Sequence, residues 1–158
     1  MKNLKLMGLA LSMLMCCATI SAQERSPLNE PDANRPKLFT NLPDRIPVDV
    51  TELQSLVSGV NTTGRDASVR FSNEKFKTFR GRVVSTASRD NDRVKSLVLR
   101  SDDFNGASFT VTAMTQADGT TKYSGRILSF RHADMYVLEN SNGSYYLVKK
   151  NFYEVVSE

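Results

Sequence analysis

From Ser68 onward the chain repeats one unit: a short run of alternating or β-branched apolar residues, closed by a turn written in Asp, Asn and Gly. The runs are SVRFS (68–72), FRGRVVS (79–85), VKSLVLR (94–100), SFTVTAM (108–114), YSGRILSF (123–130), MYVLEN (135–140), SYYLVKK (144–150) and FYEVV (152–156). A period of two puts alternate side chains on opposite faces of a strand. Between the runs lie Asp102-Asp103-Phe104-Asn105-Gly106, Asp118-Gly119 and Asn142-Gly143. These residue types tolerate the positive φ that tight hairpins require. The pattern predicts an antiparallel, all-β chain of consecutive hairpins.

The pattern also contains an internal echo. Phe79-Arg80-Gly81-Arg82-Val83-Val84-Ser85 resembles Tyr123-Ser124-Gly125-Arg126-Ile127-Leu128-Ser129, and each begins a three-stranded meander, over 81–114 and 125–150. Neither meander buries an apolar face alone, but two packed or closed on each other do. Phe109, Val111 and Ala113 share one face, as do Leu97 and Leu99, and Ile127, Val137 and Leu147 supply the other half of a core. Gly81 and Gly125 fall inside strands, where glycine marks a bend or bulge. The expected architecture is a small six- to eight-stranded antiparallel barrel, OB-like or SH3-like, over residues 48–158.

Ahead of the strands, Val50, Leu53, Leu56, Val57 and Val60 recur at helical spacing. Asp49 with Glu52, or Thr51 with Gln54, forms a capping box, and Gly59 suits the stop, so a short helix is expected at about 50–58. Residues 23–47 hold all five prolines, at 27, 31, 36, 43 and 47, and read as an extended arm. Leu38, Phe39, Leu42 and Ile46 are apolar enough to pack back onto the domain. The first 22 residues have Lys2 and Lys5, an apolar stretch from Leu6 to Ala18, and small residues Ser21 and Ala22. This is the pattern of a secretory signal cleaved after Ala22, with an apolar run too short to span a membrane comfortably. Lipidation at Cys16 or Cys17 is the alternative, but Met15 or Cys16 stands where a small residue belongs.

Export has chemical consequences. Both cysteines lie in the signal, so the secreted chain has no disulfide, thiolate nucleophile or cysteine metal ligand. Cleavage also removes two lysines, so 21 basic against 17 acidic residues becomes 19 against 17, a net charge of +2. Whole-molecule attraction to polyanions is therefore not indicated.

The only histidine, His132, lies two residues from Asp134. A histidine acts as base or ligand only with partners. There is no second histidine, no HExxH, no GxSxG elbow and no glycine-rich phosphate loop. The matching place in the first meander, Arg89-Asp90-Asn91-Asp92-Arg93, is a turn, so 131–134 reads as a turn with Asp134 bonding local amides. Tryptophan is absent, which weakens a sugar cleft. No enzyme activity, metal or cofactor is expected.

Two binding features remain. Lys75, Lys77, Arg80 and Arg82 interleave with Phe76 and Phe79, and residues 65–100 carry ten Lys/Arg against four Asp/Glu. Such a strand suits a polyanion or nucleic acid, with Phe76 stacking a base. The plainer alternative puts the phenylalanines in the core and the cations in solvent. Export argues against nucleic acid as a natural partner. The second feature is a set of connections able to present an extended segment to a protease cleft: Lys37 to Pro47, Thr86 to Arg93, and Thr115 to Thr121. Arg89 or Arg93 would enter an acidic specificity pocket, and Asp90 or Asp92 would approach a catalytic metal.

A signal ending Ser21-Ala22-Gln23, a proline-rich arm and a cysteine-free β-barrel together make a plan similar to that of the potempins. These are small secreted or lipidated bacterial protease inhibitors. The resemblance implies a periplasmic or extracellular inhibitor of a secreted protease, with no transmembrane segment after cleavage. It assigns no individual residue, and the missing lipobox departs from the lipidated members. The alternatives are an envelope-associated structural or accessory protein and a polyanion binder acting through 75–82.

Overall fold

The computed structural model describes residues 35–58 and 61–156. The expected signal and the first part of the expected arm, with Gly59 and Val60, lie outside the described residues. Eight strands, β1 (Arg45–Val48), β2 (Asp66–Arg70), β3 (Thr78–Arg89), β4 (Val94–Ser101), β5 (Ser108–Thr115), β6 (Thr121–Leu128), β7 (Asp134–Ser141) and β8 (Ser144–Asn151), alternate with two short helices, α1 (Val50–Val57) and α2 (Phe152–Val156). All neighbouring strands are antiparallel, and the sheet runs β1-β8-β7-β6-β5-β4-β3-β2. It curls into a half-barrel, the expected all-β, barrel-like fold. The two meanders are continuous within it, joined along β5 and β6.

Alternation builds the core directly. Across successive ladders Val69 faces Phe79, Leu99 faces Phe109, Phe109 faces Ile127, Ile127 faces Tyr136 and Leu138 faces Leu147, and all are buried. Helix α1 lies against β2, β4 and β5 and buries Leu53 and Leu56. Its N-cap is Asp49, whose carboxylate accepts from the amide and hydroxyl of Thr51, each at 2.8 Å. Glu52 does not close the capping box. It accepts instead from the Arg70 amide at 3.0 Å, tying α1 to β2. At the other end, Asn61 Nδ2 donates to the Ser55 and Leu56 carbonyls.

Gly81 and Gly125 perform one task in the two meanders. A Cβ on Gly81 would stand 1.9 Å from the Arg100 carbonyl oxygen, and one on Gly125 would stand 2.5 Å from that of Thr110. The glycines thus permit close backbone approach inside the curl. The one irregularity in the β3–β4 ladder lies just beyond Gly81, between Val83 and Ser85.

Four expectations are corrected. FYEVV (152–156) is helix α2 rather than a strand. The outer edge of β8, where such a strand would pair, is already taken by β1, and Asn151 Oδ1 accepts from the Tyr153 amide to start the helix. Second, Arg45–Val48 leaves the arm and becomes β1 on that edge. Third, Tyr136 and Leu138 fill the core while Val137 is only half-buried. A one-residue shift in phase exchanges the faces of a strand. Fourth, Asp134 does not bond local amides. Its carboxylate is buried and accepts from the amides of Leu38 at 2.6 Å and Phe39 at 2.8 Å.

That carboxylate belongs to a larger set of contacts holding 35–48 to β7 and β8. The Ala133 amide donates to the Pro36 carbonyl at 3.0 Å, and the Lys149 amide to that of Asp44 at 2.8 Å. The Tyr136 hydroxyl donates to the Pro43 carbonyl at 2.5 Å. Lys149 Nζ reaches the Leu42 carbonyl at 2.5 Å and the Asp44 carboxylate at 3.1 Å. Phe39 is fully buried, its ring 5.1 Å from that of Tyr136. Leu38 and Leu42 pack against the core beside it, as their apolar character led us to expect. Burial raises the Tyr136 hydroxyl pKa well above its ordinary value, and the negative charges of Asp44 and Asp134 add to the effect.

A candidate protein-binding hairpin

Beyond the irregularity at Val83–Ser85, β3 and β4 continue as a hairpin in which every residue from Ser85 to Arg93 is exposed. Its tip is unusual. Asp90, Asn91 and Asp92 all have positive φ, at 54°, 50° and 67°. Three successive left-handed residues are tolerated because Asp and Asn enter this region more readily than other non-glycine residues. Local bonds hold the shape. The Arg93 amide donates to the Asp90 carbonyl at 3.0 Å, and the Thr115 amide to the Arg93 carbonyl at 2.8 Å. The Ser88 hydroxyl donates to the Asp92 carboxylate. Arg93 pairs with Asp90 at 3.4 Å and Lys95 with Asp92 at 4.0 Å. These ion pairs are exposed and add little stability. Their effect is to restrict the side chains at the tip.

The structure gathers four candidate residues, Arg89, Asp90, Asp92 and Arg93, on this hairpin. The Thr115–Thr121 connection lies beside it, and a depression of about 290 Å³ between them is bordered by Gln54, Asp92, Arg93, Thr115 and Thr121. That connection is itself a tight turn. Asp118 accepts from the amide and hydroxyl of Thr120, which lowers its pKa. The third proposed segment, 37–47, is instead fastened to β7 and β8 as described.

Lys75, Lys77, Arg80 and Arg82 form a separate group. Lys75 and Lys77 are exposed on the loop before β3, and Arg80 and Arg82 lie on its first half. A strand rises about 3.3 Å per residue, so Arg82 and Arg89 are roughly 20 Å apart along β3. Arg80 pairs with Asp103 at 3.2 Å and Arg82 with Asp66 at 3.6 Å. Phe76 is 2% exposed and packs among the rings of Phe71, Phe104 and Tyr136. It is not placed to stack on a base, so the plainer alternative describes this strand.

His132 occupies the turn before β7, where its amide donates to the Ser129 carbonyl at 3.0 Å and Nδ1 lies 2.9 Å from the Ser129 hydroxyl. Asp134 is engaged by the arm, so the pair does not form a reactive dyad. Among the described residues no group of three or more His, Cys, Asp or Glu is placed to hold a metal ion, and no helix is long and apolar enough to cross a membrane. No family model matches the chain, and neither a curated protein nor a solved structure does.

Proposed function

We propose that this chain is an exported, noncatalytic binding module that presents the β3–β4 hairpin to another protein, most concretely to a secreted protease. The observation that supports this reading is the tip itself. An exposed loop is held in a left-handed backbone conformation by its own side chains and by Thr115, so little conformational freedom remains to be lost on binding. Asp90, Asp92 and Arg93 are engaged in these local contacts. Arg89 forms no ion pair among the described residues and extends from the last position of β3. It is the side chain to enter an acidic specificity pocket.

The test is titration of a panel of secreted proteases with the secreted chain. Inhibition that saturates at one inhibitor per enzyme supports the reading, and digestion of the chain without inhibition rejects it. For a protease that prefers arginine, Arg89→Ala should weaken inhibition by about 100-fold, the scale of a buried interface anchor. An undiminished Arg89→Ala variant would move the contact elsewhere.

A further inference from the structure

Besides the parting of β6 from β7 beyond Arg126 and Val137, three stretches of strand edge have no neighbouring strand among the described residues, and of these three one lacks protection. Unpaired edges recruit other chains unless proline, charge or a covering segment blunts them. β1 carries Pro47, which offers no amide donor, and Arg45, whose guanidinium stacks on Tyr146 at 3.7 Å. β2 begins and ends with the charges of Asp66 and Arg70, and Glu52 occupies the Arg70 amide. The third stretch is the outer half of β3. β2 pairs only as far as Arg82, after which Val83 bonds to Gly64 and Arg65 at 2.8 Å each. The strand then passes its irregularity, a feature that turns a strand out of line. From Ser85 to Ser88 the edge reads Ser-Thr-Ala-Ser, uncharged and without proline. No described residue pairs with its outer side. Because one partner strand uses only alternate backbone groups, the others point outward.

A depression of about 260 Å³ adjoins this edge, bordered by Val57, Asn61, Thr86, Ala87, Ser96 and Leu97. The two charges also on its border, Asp92 and Lys95, pair with each other. The space thus suits small neutral side chains. We infer that Ser85–Arg89 captures a short extended segment of a partner protein as an added β-strand, with one or two apolar side chains of the segment entering this depression. This rests on the reading of the hairpin as a protein-binding element and gives its mode of contact. A second copy of the chain fits poorly. Antiparallel self-pairing centred on Ala87 would bring residues 91–93 of one copy opposite residues 83–81 of the other, where residues 64–67 already sit.

The test uses the whole secreted chain and a blocked peptide of alternating threonine and valine as probe. A second peptide of the same sequence is N-methylated on the bonding face. Amide resonances and hydrogen exchange are read across the chain. Capture requires changes centred on Ser85–Arg89, with outward amides there exchanging at least tenfold more slowly. N-methylation should weaken binding about tenfold or more, since it removes several main-chain hydrogen bonds together. Thr86→Lys, on an exposed site that leaves the fold intact, should weaken it similarly. Equal binding of both peptides, changes centred elsewhere, no change at millimolar peptide, or slowing that grows with protein concentration alone would each overturn the inference. Inhibition of a protease with no peptide effect at this edge would reject strand capture and leave the hairpin reading standing. Peptide capture with no protease inhibited would do the reverse.

Discussion

At one end the sheet finishes in β1, part of a segment, 35–48, that Asp134, Tyr136 and Lys149 fasten to β7 and β8. Along the outer half of β3 it ends in exposed backbone that no described residue pairs. Both are edges of one sheet, but the chemistry differs. At β1, buried polar side chains satisfy main-chain groups of a segment about ninety positions away in sequence, and bonds of this kind are costly to break because the freed groups stay buried. At β3, the bonds at the tip run mostly between near neighbours in an exposed loop, with one from Thr115, and water replaces such exposed contacts readily. The first arrangement fixes the fold. The second fixes the shape of a small surface without committing it to the core, as a contact site requires.

The largest expected effect breaks the closed edge. Asp134→Ala leaves two amide donors without their acceptor, and should cost about 3 kcal/mol or more in a denaturant titration. Asp134→Asn, which keeps an acceptor oxygen, should recover part of this loss. If Asp134→Ala changes stability by less than about 0.5 kcal/mol, the carboxylate does not hold the segment.

Gly81→Ala comes next and separates the two halves of β3. A methyl group 1.9 Å from the Arg100 oxygen forces the strands apart, at about 2–3 kcal/mol. Gly125→Ala, with 2.5 Å to the Thr110 oxygen, should cost less. Ala87→Ser, in the outer half, should fall within about 0.5 kcal/mol of the parent.

Tyr136 supplies a pH test of the closed edge. Its hydroxyl stays protonated in the folded chain at a pH where the unfolded chain ionises. The folded state then binds more protons, so stability falls as pH rises above about 10, the ordinary tyrosine value. Tyr136→Phe should flatten part of this alkaline loss. It should also cost roughly 1 kcal/mol at neutral pH for the missing bond to Pro43. An unchanged alkaline slope in Tyr136→Phe would assign the effect to other groups. The smallest effect lies at the hairpin tip, where Asn91→Gly relaxes a left-handed residue and should stabilise by about 0.5 kcal/mol.

These differences explain what the sequence makes legible. Strands β2–β8 and their turns follow from local alternation and Asx-Gly chemistry, so each lies within a few positions of its expected run. Helix α1 follows equally from its own spacing and cap. The closed edge is different: nothing near Asp134 signals that it will bind the amides of Leu38 and Phe39, and the prolines around β1 conceal a strand whose pairing depends on β8. FYEVV carries a strand's composition, but its conformation depends on whether an edge is vacant. At the candidate site, the exposed polar tip is legible in Arg89-Asp90-Asn91-Asp92-Arg93. The open edge beside it is not, because it exists only where the β2 pairing ends at Asp66 opposite Arg82 and β3 continues to Arg89.

The most direct measurement of the contrast is native-state amide hydrogen exchange on the unliganded chain, followed residue by residue. Amides of Phe39 and of the β1–β8 ladder should exchange only through near-global opening, while outward amides between Ser85 and Arg89 should exchange close to the rate of exposed peptide. Strong protection at Ser85–Arg89 in dilute protein, or rapid exchange at Phe39, would contradict a sheet closed at one edge and open at the other.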